Sequence, residues 1–289
     1  MSGKLLWGPT RAEAPLVQRV LEYVRSPEFR PPDLPRLTAE IMALGSDPDS
    51  AQSGLIDLLL RDEALAAHLM QVAGSEAQAT NRVAVRRAVE ALGARAARRV
   101  ALVYDIEGSV FRTRHYDLLM LRYWRHSVAT AVALDALSKS LGARLPGAFT
   151  TGLLHDVGRP VALTAIAGLR TQVRALGAAT DAAIARIVDE VHEQVGGMVA
   201  VRWGLSRPLV QLLGGHHELS LLDRDVRQVG ALLAGAEALA EAVGCASTGV
   251  AHAVSIDIGA VRALGVDSAT TARLLEKVTS RTKRLLGTV

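Results

Sequence analysis

At 289 residues the chain can bury one large core or two smaller ones, and its 49% hydrophobic and 21% charged residues are an ordinary globular balance that excludes a disordered or fibrous chain. A net charge of +4 with only 3% aromatics gives no reason by itself to expect a nucleic-acid partner. The single cysteine, Cys245, excludes an intrachain disulfide. No signal peptide shows near the N-terminus, and Glu237, Glu241 and His252 interrupt the longest apolar stretch, so a cytoplasmic protein without a membrane span is expected.

Helical periodicity runs through nearly the whole chain. Leu16, Val20 and Val24 mark a first helix, followed by a breaker-rich linker from Ser26 to Pro32. A second helix is expected over 34–44, closed by Gly45. Asp47-Pro48-Asp49-Ser50 forms a turn capping a helix from near Ala51, with Leu55, Leu58 and Leu59 on its apolar face. Arg61-Asp62 breaks the pattern before a helix over 63–73. Helices over 85–92 and 94–104 are separated by Gly93, and a less regular stretch, 107–115, divides the halves. A long helix over 118–141 ends at Gly142. An apolar helix over 145–157 carries His155-Asp156 at its end, and Pro160 sits in the first turn of the next, where a missing N–H costs little. A long amphipathic helix over 180–203 is built on Ile184, Ile187, Val191, Val195 and Met198, with Gly196-Gly197 expected to loosen its middle. Ser206 is a good N-cap, with Pro208 behind it, for a helix running toward His216-His217. Helices over 226–243 and 269–286 finish the chain. No segment alternates as a strand does, so the expected fold is all-α.

Five of the eight histidines fall at suggestive positions: His126, His155, His192, His216 and His217, with Asp156 beside the second. Imidazole nitrogen and carboxylate oxygen together suit a divalent transition metal. Neighbouring residues in mid-helix point about 100° apart, so each adjacent pair converges on one centre only where its helix stops. Spacing alone leaves a metal or active site and ordinary core or surface histidines both open. His68, His115 and His252 read as ordinary.

Gly152-Leu153-Leu154-His155-Asp156-Val157-Gly158-Arg159 resembles the signature of the HD superfamily, and Trp124-Arg125-His126-Ser127 the element preceding it in HDOD proteins. Leu34-Pro35, Asp47-Pro48, Arg61 to Ala66 and Val89 to Gly93 are similar to upstream HDOD elements. His192-Glu193-Gln194-Val195-Gly196, Arg202 to Ser206 and His216-His217 are similar to downstream ones, so the resemblance covers about residues 31–245. It implies a multi-helical fold: an N-terminal helix and linker over 1–30, a helical lobe over 31–110, an HD-like lobe over 111–245 and a C-terminal extension over 246–289. It also implies that His126, His155, Asp156, His192, His216, His217 and Glu237 are metal ligands, with Asp156 and Arg159 the catalytic pair if the chain is active.

The departures point away from turnover. Relatives of the two-metal HD-GYP branch carry a Glu where this chain has Arg122, and a Lys where it has Arg159; the stretch after His217 has no Gly-Tyr-Pro. A guanidinium offers no lone pair to a metal. At most one divalent ion (iron, manganese, zinc or magnesium) is therefore expected, with Arg122 and Arg159 available to an anion or, for Arg122, to Asp156 or Glu237. The expected function is a regulatory HDOD module of a bacterial signalling pathway, binding a signalling protein or a small phosphate-bearing ligand. The alternative is a metal-dependent phosphohydrolase. A third reading, nucleic-acid binding through Arg82, Arg86, Arg87, Arg95, Arg98 and Arg99, is less favoured, because no aromatics stand nearby to stack on bases.

Overall fold

A computed structural model describes residues 9–44, 48–75, 80–113, 115–247 and 258–287, and these are helical with no strand among them. Gly45, Asp47, His252 and part of the 246–289 extension lie outside the described residues. No helix of the described residues is long and apolar enough to cross a membrane. The chain divides into two compact units, residues 34–109 with 283–289 and residues 1–33 with 110–282.

The smaller unit holds α2 (Arg36–Ala43), α3 (Pro48–Leu59), α4 (Glu63–Val72), α5 (Arg82–Leu92) and α6 (Ala94–Val110). α2 has Pro35 at its N-cap and no side-chain cap of its own. Asp105 of α6 replaces it, accepting from the Thr38 amide at 2.7 Å and the Thr38 hydroxyl at 2.6 Å. Arg98, about two turns earlier on α6, donates to the Ile41 carbonyl at the other end of α2. Anion at the N-terminus and cation at the C-terminus both match the helix dipole. Asp62 caps α4 as a break at that point requires, accepting from the Leu65 amide at 3.0 Å. α5 begins earlier than the apolar pattern suggests because Asn81 accepts from the Val83 and Ala84 amides. α6 runs past residue 104 because Val103, Ile106 and Val110 continue its buried stripe, so the expected irregular stretch is partly helix.

The larger unit holds α1 (Ala14–Arg25), α7 (Asp117–Ser140), α8 (Ala148–Leu154), α9 (Gly158–Leu169), α10 (Arg174–Gly177), α11 (Asp181–Arg202), α12 (Arg207–Gly215), α13 (Arg224–Ala242), α14 (Gly259–Ala263) and most of α15 (Ser268–Leu285). α7 is its central rod. Every residue from Val128 to Ser138 is buried, as in a helix covered on all sides. α8, α9 and α13 pack on it, while α11 packs against α1, α9 and α12.

Glycines set the closest crossings. A Cβ on Gly152 would lie 2.7 Å from the Ala131 Cα, and one on Gly196 would lie 2.6 Å from the Leu213 carbonyl oxygen. α11 is unbroken through Gly196-Gly197. The expectation that these glycines loosen the helix is therefore corrected: they let α12 approach its backbone. Ser206 occupies the N-cap of α12 with Pro208 in the first turn, though its side chain makes no cap hydrogen bond.

Candidate metal centre

Five helices of the larger unit deliver the site. His126 lies midway along α7, His192 midway along α11 and Glu237 on α13. α8 ends at Leu154, so His155 and Asp156 occupy the turn before α9. α12 ends at Gly215, so His216 and His217 follow its last residue. Both adjacent pairs thus sit where a helix stops, which lets each pair turn toward one centre.

The His126 and His155 rings are 5.3 Å apart, His155 and His216 5.3 Å, His192 and His216 5.6 Å, and His216 and His217 4.2 Å. Asp156 stands between two groups. Its Oδ2 lies 3.7 Å from His126 Nε2 and 3.5 Å from His155 Nε2. Its Oδ1 lies 3.5 Å from both His192 Nε2 and His216 Nε2. Glu237 Oε1 closes the first group at 3.6 Å from His155 Nε2. The ligating atoms of Asp156, His192, His216 and His217 all lie within 4.8 Å of one another, as do those of His126, His155 and Glu237.

The hydrogen bonds fix the tautomers. His126 Nδ1 meets the Cys245 carbonyl at 2.8 Å, His155 Nδ1 that of Gly152 at 2.8 Å, His192 Nδ1 that of Asp189 at 2.5 Å and His216 Nδ1 that of Leu212 at 3.0 Å. A carbonyl only accepts, so each Nδ1 carries a proton, and each ring in its neutral form turns a bare Nε2 lone pair inward. All four Nε2 atoms and Asp156 Oδ1 are buried without a hydrogen-bond partner. Five acceptors facing one another with no donor is a costly arrangement in a protein interior. Ligands bound about 2.1 Å from a tetrahedral ion lie about 3.4 Å apart, close to the separations found here. The residues therefore fit a divalent transition metal.

The charges divide. Burial pushes His126 down to about 4 against the pull of Asp156, and burial with the Arg159 cation holds His192 well below its ordinary range. Burial also opposes a charge on His216, yet Asp156 and Glu237 outweigh it and hold that ring above its ordinary value. Burial would raise the Asp156 carboxyl, but Arg159 and the histidines hold it well below the usual carboxylate range; Glu237 is held low against burial by His155, His217 and His216.

Arg159 is the cation of the site. It is 2% exposed and donates from Nε to Asp156 Oδ2 at 2.5 Å and from its terminal nitrogen to Asp189 Oδ1 at 2.9 Å. Arg122 lies half-buried one turn before His126 and, among the described residues, pairs with neither Asp156 nor Glu237. The expected pairing of Arg122 with either carboxylate is therefore corrected: the next turn of chain after Asp156 supplies the counter-charge, because Arg159 at i+3 reaches it directly. Sequence reading missed Asp189, which orients His192 through its carbonyl and Arg159 through its carboxylate. It also missed Glu193, which accepts from the His217 amide at 2.8 Å. Asp189 lies three residues before His192, a helical spacing that was a usable signal.

A family model for the HDOD domain matches residues 32–219. An uncharacterised protein from Treponema pallidum (strain Nichols) is 26% identical over 197 residues, covering 65% of this chain and 38% of that protein, so the chain matches well under half of that relative's length. Among solved structures, a protein from Shewanella amazonensis SB2B provisionally named a metal-dependent phosphohydrolase superposes with a TM-score of 0.67 at 16% identity, covering 94% of this chain and 100% of that one. An HDOD domain protein of unknown function from Geobacter sulfurreducens gives 0.64 at 21% identity, covering 95% and 98%. At these identities the likeness is one of fold, and that fold is all-helical throughout the described residues. With the family match spanning well over half its length and the His-Asp centre seated inside that span, the chain belongs to the HDOD domain family.

Proposed function

We propose that this chain is a regulatory module of bacterial signalling, which holds a divalent transition metal among its buried histidines and acts by binding a partner protein or a small phosphate-bearing ligand without turnover. The observation that carries the metal is the set of four unpartnered Nε2 atoms and Asp156 Oδ1, all acceptors and all buried. A bound metal supplies the positive charge these acceptors lack and, at an open position, Lewis acidity toward a phosphate oxygen.

Burial favours binding over turnover. His126, His155, Asp156, His192 and His216 are each no more than 2% exposed. A hydrolytic centre keeps one position open to water and substrate, whereas a closed centre is structural. Arg159 donates to Asp156 Oδ2, the oxygen that also faces His126 and His155, so it competes with an ion for that ligand. This supports one metal per chain, on the strength of Arg159. The nucleic-acid reading is weakened, because Arg82 pairs with Asp57 and Arg98 holds the Ile41 carbonyl. One observation favours the phosphohydrolase alternative. His217 is exposed and Glu237 partly so, which leaves an edge of the same centre facing solvent.

Elemental analysis of the purified chain for iron, manganese, zinc and magnesium tests the metal. One equivalent is expected, lost in the His155→Ala, Asp156→Ala double variant; a metal-free parent after reconstitution sinks the reading. Hydrolysis of cyclic dinucleotides with added manganese, iron or magnesium should be no faster in the parent than in that double variant. A clear rate difference puts the phosphohydrolase first.

A further inference from the structure

The first two turns of α7 carry an apolar patch that faces solvent. Leu118 is 73% and Leu121 51% exposed. Asp117 and Arg125 are exposed beside them, and Arg122 is half-buried. At about 100° per residue, Asp117, Leu121, Arg125, Leu118 and Arg122 fall in that order across an arc of about 140°. Leu119, Tyr123 and Trp124 are buried on the other side of the helix. One exposed leucine is ordinary, but two on one stripe form a patch. It contrasts with the later turns of α7, where Val128 to Ser138 are all buried.

The charges around the patch are uneven. Neither Arg122 nor Arg125 pairs with a carboxylate among the described residues. Arg125 reaches the Cys245 thiol, but burial pushes that thiol up, so it stays protonated and leaves the guanidinium charge uncompensated. Two cations one turn apart beside the leucines call for carboxylates at the same spacing. Leucines offer nothing to a phosphate backbone, and Asp117 repels one, as it does an anionic membrane. A patch about 10 Å long is matched by two turns of another helix, whose apolar side chains can interdigitate with the leucines.

We propose that the start of α7 docks an acidic amphipathic helix of a partner protein, which covers Leu118 and Leu121 with its apolar stripe and sets carboxylates on Arg122 and Arg125. This rests on the reading of the chain as a partner-binding module but not on the metal. So short an interface should dissociate at about ten to a hundred micromolar.

The probe is a synthetic helix with leucines at i, i+3 and i+7 and glutamates at i+4 and i+8, titrated with the full chain by fluorescence anisotropy. A control peptide carries lysines in place of the glutamates. The parent should bind the glutamate peptide at least about tenfold more tightly than the control. Leu118→Ser, at an exposed position, should keep the circular dichroism and metal content of the parent yet weaken binding about tenfold. Arg125→Glu should reverse the preference between the peptides. A parent that binds neither peptide, or both equally, overturns the proposal. So does binding that Leu118→Ser leaves unchanged. Binding of the parent to phosphatidylserine vesicles or duplex DNA that is lost in Leu118→Ser also overturns it, and assigns the patch to a membrane or a nucleic acid. A chain that holds no metal yet binds the glutamate peptide in this way upholds the docking and sinks only the metal.

Discussion

Asp156 shows how much one side chain can be asked to do. Its two oxygens face two histidine groups, and one of them also accepts from Arg159. Arg159 in turn neutralises Asp189. An arginine suits this place because its fork reaches two carboxylates at once, which a lysine ammonium does with less directional control. Arg159→Met would strand two carboxylates. The metal-free variant should lose about 3–5 kcal/mol, the usual cost of removing one partner from a buried ion pair. Added manganese or zinc should restore part of the loss, since a dication can replace the missing charge. Denaturant melts with and without metal check this. A variant as stable as the parent would show that Arg159 does not neutralise the site.

At the scale of elements, the site is assembled by helices that touch backbone to backbone. Gly158 opens α9 immediately after the His-Asp pair, and a Cβ there would lie 1.9 Å from the His192 carbonyl oxygen and 2.6 Å from the Gly196 amide nitrogen. Neither atom belongs to a flexible side chain, so α9 and α11 would have to separate. Gly158→Ala should cost about 3 kcal/mol or more, at the upper end of what overpacking does, and should reduce metal retention because His192 moves with α11. Gly108→Ala is the control. Gly108 lies exposed in α6 with nothing within 4 Å of an added Cβ. It should be neutral or stabilise by about 0.5–1 kcal/mol through helix propensity. Equal effects at the two positions in thermal melts would mean that the α9–α11 crossing is not as tight as described. The glycines were visible in the sequence, but their role was not. A glycine inside a helical pattern signals weakness or close approach equally, and only the neighbouring helix decides which.

At the scale of the whole molecule, the larger unit gathers segments far apart in the chain. Arg186 of α11 donates to both Glu13 oxygens, at 3.0 and 2.6 Å, fastening the start of α1 to it. This pairing holds the Glu13 carboxyl down at about 2, against its ordinary 4.5. A carboxyl with a lowered folded pKa stabilises fully above its unfolded value and loses that contribution as pH falls through the folded one. Glu13→Gln should therefore cost on the order of 1–3 kcal/mol near neutrality. The gap between variant and parent should close as pH drops from 4.5 toward 2. A gap that is constant over this range in urea melts would mean that the contact is not ionic.

The helical class, the order of most elements and the set of His and Asp residues were readable from sequence, because periodicity, caps and motif spacing are local properties. Leu34 to Leu44 and Val85 to Leu92 were placed within a few residues, and the ends of the helices at His155 and His216 were recognised from the glycines around them. The tertiary structure decided what is not local. It turned Nε2 rather than Nδ1 inward by offering each ring a carbonyl, that of Cys245 for His126 lying 119 residues away. It chose Arg159 over Arg122 as the counter-charge, since both are near the motif in sequence but only one side chain reaches Asp156. It also let α6 cap α2, whose own N-cap is a proline. Each of these depends on a partner supplied by another segment, and a one-dimensional pattern carries no information about which distant group fills that role.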